Sequence, residues 1–361
     1  MNLADLLNID HLHEQIKARY INAIRSPDGR HTIYDYTDKA TYDRVWTPET
    51  TVCRGLVVEN DTDDIVARGF DKFHNLDEPG AADASTEAVA ARGSDFEVWS
   101  KLDGSMVLLW WDGRTWRTST RARFDSAQAV AAREWITHTV NSWDLDPTYC
   151  YIGEWVGPGN RIVVNYPEDQ WVLTGVRSLE TGAEATNGQL HTWAERLKVS
   201  PCPFWIVRSG LDELIAAQAT WTGIEGWVLR WSDGFRVKVK TSEYLDLHRL
   251  IMDLTPKRIH EALIAGTYLT YLNQLPEEHR ALAESYADDI TIAAGSRRSQ
   301  AYAVFAELEP LLAESRKAFA LEASKHPDVR VYLFMLADGK PIDAAILRDC
   351  APSASAVPEP A

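Results

Sequence analysis

Trp99-Ser-Lys101-Leu-Asp103-Gly104-Ser105-Met-Val-Leu-Leu-Trp110 is the stretch on which the reading of this chain turns. One lysine stands two residues before an acidic, glycine-containing break, with a strand-like apolar run on each side. Gly accepts backbone angles that a side chain forbids, so Asp103-Gly104 reads as a tight reversal between two strands. Lys101 then falls at the end of a strand, facing whatever cleft the sheet lines. A Lys-x-Asp-Gly string also occurs in plain solvated hairpins, so its meaning depends on the residues downstream of it.

To either side of this stretch the chain reads mostly as strands. Upstream, Thr51-Val-Cys-Arg54-Gly55-Leu-Val-Val58 is an apolar strand carrying one arginine, and Ile65 to Leu76 holds Arg68 and Lys72. From Phe96, strands divided by Asp103-Gly104 and Asp112-Gly113 read as an antiparallel meander. Asp125 or Ser126 caps a helix expected to run through Trp143. Strands resume at Tyr149–Val156, Arg161–Tyr166 and Trp171–Arg177. After a segment that is helical at both ends (190–220) comes a hairpin, Gly223–Trp231 and Phe235–Lys240, turning at Ser-Asp-Gly234.

Side chains alternate along a strand, so Arg236, Lys238 and Lys240 share one face while Phe235, Val237 and Val239 take the other. By the same parity Glu225, Trp227 and Leu229 fall together. A row of cations beside a carboxylate on a sheet floor suits a triphosphate with its metal ion.

Beyond Tyr244 tryptophan disappears, and Ala, Leu, Glu and Arg recur at helical spacing, as in Ile259, Leu263 and Ile264. Residues 246–350 read as a separate all-helical domain, and the Pro-, Ser- and Ala-rich tail 351–361 as disordered. The first domain is then 1–245, with an N-terminal extension over 1–90.

The composition is that of a soluble globular protein: 361 residues, 45% hydrophobic and 25% charged. No apolar run is long enough for a membrane helix, and the N-terminus lacks a secretory signal, so no membrane partner is expected. Four scattered cysteines fit neither a zinc site nor a disulfide scaffold, and point to a reducing cytoplasm. The net charge of −16 is unusual for a nucleic-acid enzyme, since phosphate neutralisation supplies much of such binding. A local basic cleft is still open to it, with Arg114, Arg117, Arg121 and Arg123 within ten residues.

Taken in order, Lys101-x-Asp103-Gly104-Ser105, Glu154 in Tyr-Ile-Gly-Glu-Trp, the strand Trp171–Ser178, Glu225 in Ile-Glu-Gly-Trp-Val and Val-Lys238-Val-Lys240 resemble the motif series of the covalent nucleotidyltransferases. These are the DNA and RNA ligases and mRNA-capping enzymes. With Cys-Arg54-Gly55, Arg68 through Leu76, Arg121 through Ala129 and Asn160-Arg-Ile-Val-Val, the chain more closely resembles the ATP-dependent RNA ligases of the T-even phage tRNA-repair type, over about residues 50–248. Two positions depart from that pattern: Trp155, and the 121–123 segment, which lacks a glycine.

The resemblance implies an α+β protein: an antiparallel-sheet nucleotidyltransferase (ATP-grasp-like ligase) domain followed by a separate all-α C-terminal domain. It implies that Lys101 attacks the α-phosphate of ATP to form lysyl-AMP, and that AMP passes to an RNA 5′-phosphate and is displaced by a 3′-hydroxyl. Lys238 and Lys240 would hold the α-phosphate. Arg54, Lys72 and Arg121 match positions that contact the phosphates, and Val228 and Trp155 would flank the adenine. Asp103, Glu154 and Glu225 would orient Mg²⁺ (or Mn²⁺) through its waters. The implied partners are RNA, as single-stranded ends such as a cleaved tRNA anticodon loop, and a separate end-healing kinase/phosphatase. Within the superfamily the competing reading is a DNA ligase or capping guanylyltransferase, though those continue after the fifth motif into strands rather than helices. Outside it, the competitor is a non-catalytic RNA-binding scaffold, which has no need of all five charged residues.

Overall fold

In the computed structural model, which describes residues 1–207 and 210–352, the chain divides into two compact units, Met1–Leu245 and Asp246 onward. The expected disordered tail lies almost wholly outside the described residues.

The first unit holds three sheets. In chain order its strands are β1 (Ile21–Arg25), β2 (His31–Tyr36), β3 (Arg54–Glu59), β4 (Ile65–Arg68), β5 (His74–Asn75), β6 (Phe96–Lys101), β7 (Ser105–Trp111), β8 (Trp116–Thr120), β9 (Tyr149–Val156), β10 (Gln170–Ser178), β11 (Phe204–Trp205), β12 (Gly226–Trp231) and β13 (Arg236–Lys240). They are ordered β1-β2-β3-β4, β10-β9-β7-β8 and β11-β6-β12-β13-β5. Every pairing is antiparallel except that of β5 with β13.

The meander expected from Phe96 does not form across Asp103-Gly104. Strand β6 pairs with β11 and β12, whereas β7 pairs with β8 and β9, so the Lys101 stretch is a crossing between two sheets and not a hairpin. Gly104 is required there for a reason other than its torsion: a Cβ would lie 2.3 Å from the Trp155 carbonyl oxygen. The Asp112-Gly113 and Asp233-Gly234 turns do join hairpins, with Gly113 and Gly234 at positive φ.

Other expectations shift in the same way. Thr51 and Val52 end a short helix, Pro48–Val52, before β3 begins at Arg54. The capped helix starts as expected, with the Ser126 side chain accepting from the Ala129 N–H, but it stops at Thr139. Arg161–Tyr166 is no strand, because the Val163 and Val164 N–H groups are spent on a side chain.

Alternation fills both faces of the second sheet. Val107, Leu109, Tyr151, Trp155 and Trp171 pack with Ile136, Leu190 and Leu197 from the helices Ala127–Thr139 and Asn187–Leu197. On the reverse face Leu108, Trp110, Cys150 and Ile152 meet Ile33, Val57 and Ala67 of the first sheet. Burying each such side chain contributes about 1.5–3 kcal/mol relative to exposure. In the third sheet Val98, Trp227, Leu229, Val237 and Val239 pack with Leu211 and Leu214 beneath, which leaves the opposite face for chemistry.

The second unit is helical throughout its described length, including one helix of 38 residues, Glu277–Glu314. Its cores form around Ile259, Tyr271, Leu275 and Ile290, and around Phe319, Tyr332, Leu333 and Ile346.

Candidate active site

The register of the third sheet sets out three cross-strand rows on its open face: Lys101, Gly226 and Lys240; then Trp99, Val228 and Lys238; then Glu97, Arg230 and Arg236. The expected shared face of Arg236, Lys238 and Lys240 is therefore present, backed by buried Val237 and Val239.

Glu225 departs from the parity read in the sequence. Trp227 and Leu229 are buried in the core behind the sheet, but Glu225 reaches the cation face. There its Oε2 lies 2.7 Å from Lys101 Nζ and its Oε1 3.0 Å from Lys240 Nζ. The break comes at Gly226, whose φ of +144° no side chain readily adopts and whose Cβ would meet the Val239 carbonyl oxygen at 2.0 Å. Glu225 is only 3% exposed, and two lysines balance its charge.

Asp103, expected to orient a metal, is turned inward. Its Oδ2 accepts from the Val163 and Val164 N–H groups, each at 2.7 Å, and its Oδ1 from the Tyr244 hydroxyl at 2.8 Å. Its own N–H donates to the Tyr166 hydroxyl at 2.9 Å. With both oxygens committed, Asp103 ties the Lys101 crossing to a distant loop and to the helix that follows β13. Asn160 secures the same loop, donating to the Trp155 carbonyl at 2.7 Å and to Ser105 Oγ at 3.1 Å. Burial, with Glu225 and Asp103 nearby, pushes the Tyr244 phenol well up, so it remains a donor.

Glu154 lies in the field of Lys101 and Arg54 and beside Glu225 and Asp103. Burial outweighs the cations and raises its carboxyl to about 7. Lys238 moves the other way, down to about 6, because it is buried and flanked by Lys72, Lys101 and Arg54. Val228 occupies the second row between Trp99 and Lys238, half-buried. Trp155, paired with Val228 in the expected adenine pocket, points instead into the core, 4% exposed and edge-on to Trp135. It is adjacent to Glu154 in a strand, so the two necessarily face opposite ways.

Of the other cations, Arg54 Nη1 donates to the Phe70 carbonyl at 3.3 Å. Lys72 pairs with Glu78 at 3.3 Å and lies over the Trp46 ring. Arg121 pairs with buried Asp35 at 3.1 Å and stacks on Tyr36. Burial raises the Asp35 carboxyl to about 7 despite Arg121 and Arg54. The run Arg114–Arg123 forms no common basic cleft, since Arg117 is engaged by Asp112 and Asp28 while Arg121 turns to Asp35.

Sequence reading missed Asp35, Tyr166 and Tyr244. Tyr244 stands four residues past Lys240 and could have been found by its place beside the last motif. Nothing local marks the other two.

The described residues contain no group of three or more His, Cys, Asp or Glu side chains placed to hold a metal. Glu154 and Glu225 remain as the carboxylates near the lysines. One or two carboxylates completed by substrate phosphates and water is the donor set that Mg²⁺ accepts.

The fold is shared with solved structures of ligases. An archaeal ATP-dependent RNA ligase shares the fold over 80% of this chain and 80% of its own, with a TM-score of 0.51 at 15% identity. Residues 52–244, more than half of the chain, match the profile of the RNA ligase family, and the chain belongs to that family. Among relatives, an RNA ligase of Rhodothermus phage RM378 is 25% identical over 244 residues, 52% of this chain and 54% of the relative. A protein of Autographa californica nuclear polyhedrosis virus, whose name assigns it as a bifunctional polynucleotide kinase/RNA ligase, is 23% identical over 267 residues. That match takes in 67% of this chain and 37% of the relative. The chain thus matches about half or less of the length of each of these two relatives.

Proposed function

We propose that the protein is an ATP-dependent RNA ligase with Lys101 as its nucleophile. The observation that carries this is Glu225 bridging Lys101 and Lys240 at the edge of a cation-bearing sheet face. Once its ammonium has given up a proton, the Lys101 amine attacks the α-phosphorus of ATP: the Nζ–P bond forms, a second amine proton is released to solvent, the bond to the bridging oxygen breaks and pyrophosphate leaves. An RNA 5′-phosphate oxygen then displaces the lysine to give RNA-adenylate. A 3′-hydroxyl attacks the RNA phosphorus, and AMP departs as the phosphodiester forms.

Lys240 and Lys238 stabilise charge on the phosphate, aided by Arg54 and Lys72; Arg121, paired with Asp35, would have to leave that carboxylate to reach a phosphate. Lys238, uncharged at neutral pH in the free protein, regains its proton when a phosphate arrives. Val228 packs against the adenine. Glu154 and Glu225 would hold a divalent ion, Mg²⁺ or Mn²⁺, which supplies charge neutralisation at the phosphates. Asp103 acts by positioning Lys101.

Incubation with labelled ATP and, in parallel, labelled GTP tests this reading. Covalent transfer of AMP is expected; GMP transfer alone identifies a capping guanylyltransferase, and no transfer a binding scaffold. The substrate we propose is single-stranded RNA ends, as in a cleaved tRNA anticodon loop, in RNA repair. The kinase/ligase name of the viral relative supports a separate end-healing partner. A cytoplasmic location fits the free cysteines Cys53, Cys150, Cys202 and Cys350 and the absence, among the described residues, of any helix long and apolar enough to cross a membrane. Sealing of 5′-phosphorylated single-stranded RNA against nicked duplex DNA tests the substrate; work on the DNA alone rejects it.

A further inference from the structure

The third row of the sheet lies beyond what a triphosphate needs. Strand residues advance about 3.3 Å each, so Arg236 stands roughly 13 Å from Lys240 along β13. ATP's three phosphorus atoms, linked through single oxygens, do not span that length from an α-phosphate held at Lys240. Yet the row opens on a cavity of about 880 Å³, whose walls include Lys72, Arg177, Arg230 and Arg236.

Three of those cations converge on one carboxylate. Arg177 and Arg236 both pair closely with Glu184, and Arg230 Nη2 lies 3.8 Å from it. Arg230 also approaches Glu97, at 3.7 Å. The wall carries three further acids, Asp71, Asp83 and Asp233, of which Asp71 and Asp233 are engaged by Arg68 and Arg92. Each guanidinium carries five donors; one from each goes to a backbone carbonyl, that of Gly182, Ala185 or Gly234, the remainder still exceed what one carboxylate accepts, and the buried Arg177 Nε has no hydrogen-bond partner. Arg236 is stacked on Phe70, 4.6 Å from the ring centre, which fixes its plane. Gathering like charges at such a place is costly unless an anion joins them.

We propose that the part of this cavity lined by Arg177, Arg230 and Arg236 is a phosphate subsite for the RNA strand, next to the triphosphate site with which the cavity shares Lys72; the three arginines bind a backbone phosphate, and Glu184 serves as their counter-ion when RNA is absent. The subsite rests on the ligase reading and extends it: RNA enters along β13, its reactive end at Lys240 and a neighbouring phosphate at Arg230 and Arg236.

The test uses the full chain, a 5′-phosphorylated single-stranded RNA oligonucleotide and two variants. In Arg230→Gln the KM for RNA in sealing is expected to rise about tenfold, and the slope of log affinity against log salt to fall by about one, the signature of one lost phosphate contact. Glu184→Gln is expected to do the reverse, tightening RNA binding and steepening the salt slope, whereas a purely structural network would give no gain in affinity. A raised KM for ATP in protein labelling by Arg230→Gln, with or without a change for RNA, would assign the cavity to the triphosphate and overturn the inference. So would an unchanged RNA KM beside normal sealing by the native protein. A native protein that neither labels with ATP nor seals RNA rejects the ligase reading itself.

Discussion

Lys101 Nζ lies 2.7 Å from Glu225 Oε2, and the same carboxylate holds Lys240 through its other oxygen. The nucleophile and a phosphate-binding lysine are thus set by one buried group, so their replacements should differ in kind. Lys101→Arg keeps the charge, but a guanidinium stays protonated and is a poor nucleophile. Labelling by ATP should vanish while joining of a pre-adenylated RNA survives in part in Lys101→Ala. Glu225→Ala should impair both reactions, because it leaves two cations uncompensated and misplaces Lys240. Parallel assays of ATP labelling and pre-adenylated sealing decide the matter; normal labelling in Lys101→Arg would place the nucleophile elsewhere.

Proton linkage at Lys238 gives a second prediction. Its amine titrates near 6 in the free protein, against 10.5 unfolded, so at pH 8 it binds pyrophosphate only by taking up a proton. Affinity should fall as pH rises above 6, by up to about tenfold per unit. Calorimetry in buffers of different ionisation heats should show the uptake at pH 8, and Lys238→Met should abolish it. For stability the sign comes from the same shift: the unfolded chain holds the extra proton between about 6 and 10.5, so this group adds stability as pH rises through that window. Glu154, raised from 4.5 to about 7, does the opposite between those two values.

Gly104→Ala tests the crossing between sheets. The added Cβ meets a backbone oxygen at 2.3 Å, which cannot move aside as a side chain could. A loss of about 1–3 kcal/mol in denaturant unfolding is expected, with ATP labelling reduced as Lys101 shifts. Native stability in this variant would mean that the approach of Gly104 to Trp155 is not required.

Tyr244→Phe removes one donor from Asp103 and leaves a buried carboxylate oxygen without it. Hydrogen bonds to charged groups contribute about 1.5–3 kcal/mol, so a loss in that range is expected. If Asp103 acts by positioning, ATP labelling should slow with little change in the KM for ATP. A large rise in KM with an unchanged rate would assign Tyr244 to nucleotide binding instead.

Local pattern in the chain was enough to define the strands of the lysine-bearing sheet face, the helical character after Tyr244 and the shared side of Arg236, Lys238 and Lys240. Those features depend on periodicity and turn chemistry, which a chain carries wherever it packs. Packing in three dimensions was needed to decide that β6 and β7 join different sheets, that Glu225 crosses to the cation face, that Trp155 is core, and that Arg121 answers to Asp35. It also turned Asp103 from an expected metal partner into an anchor for Val163, Val164 and Tyr244, up to 141 residues away. Each of these outcomes depends on which distant group satisfies a buried charge or donor. Burial makes that choice compulsory, and no local pattern records it.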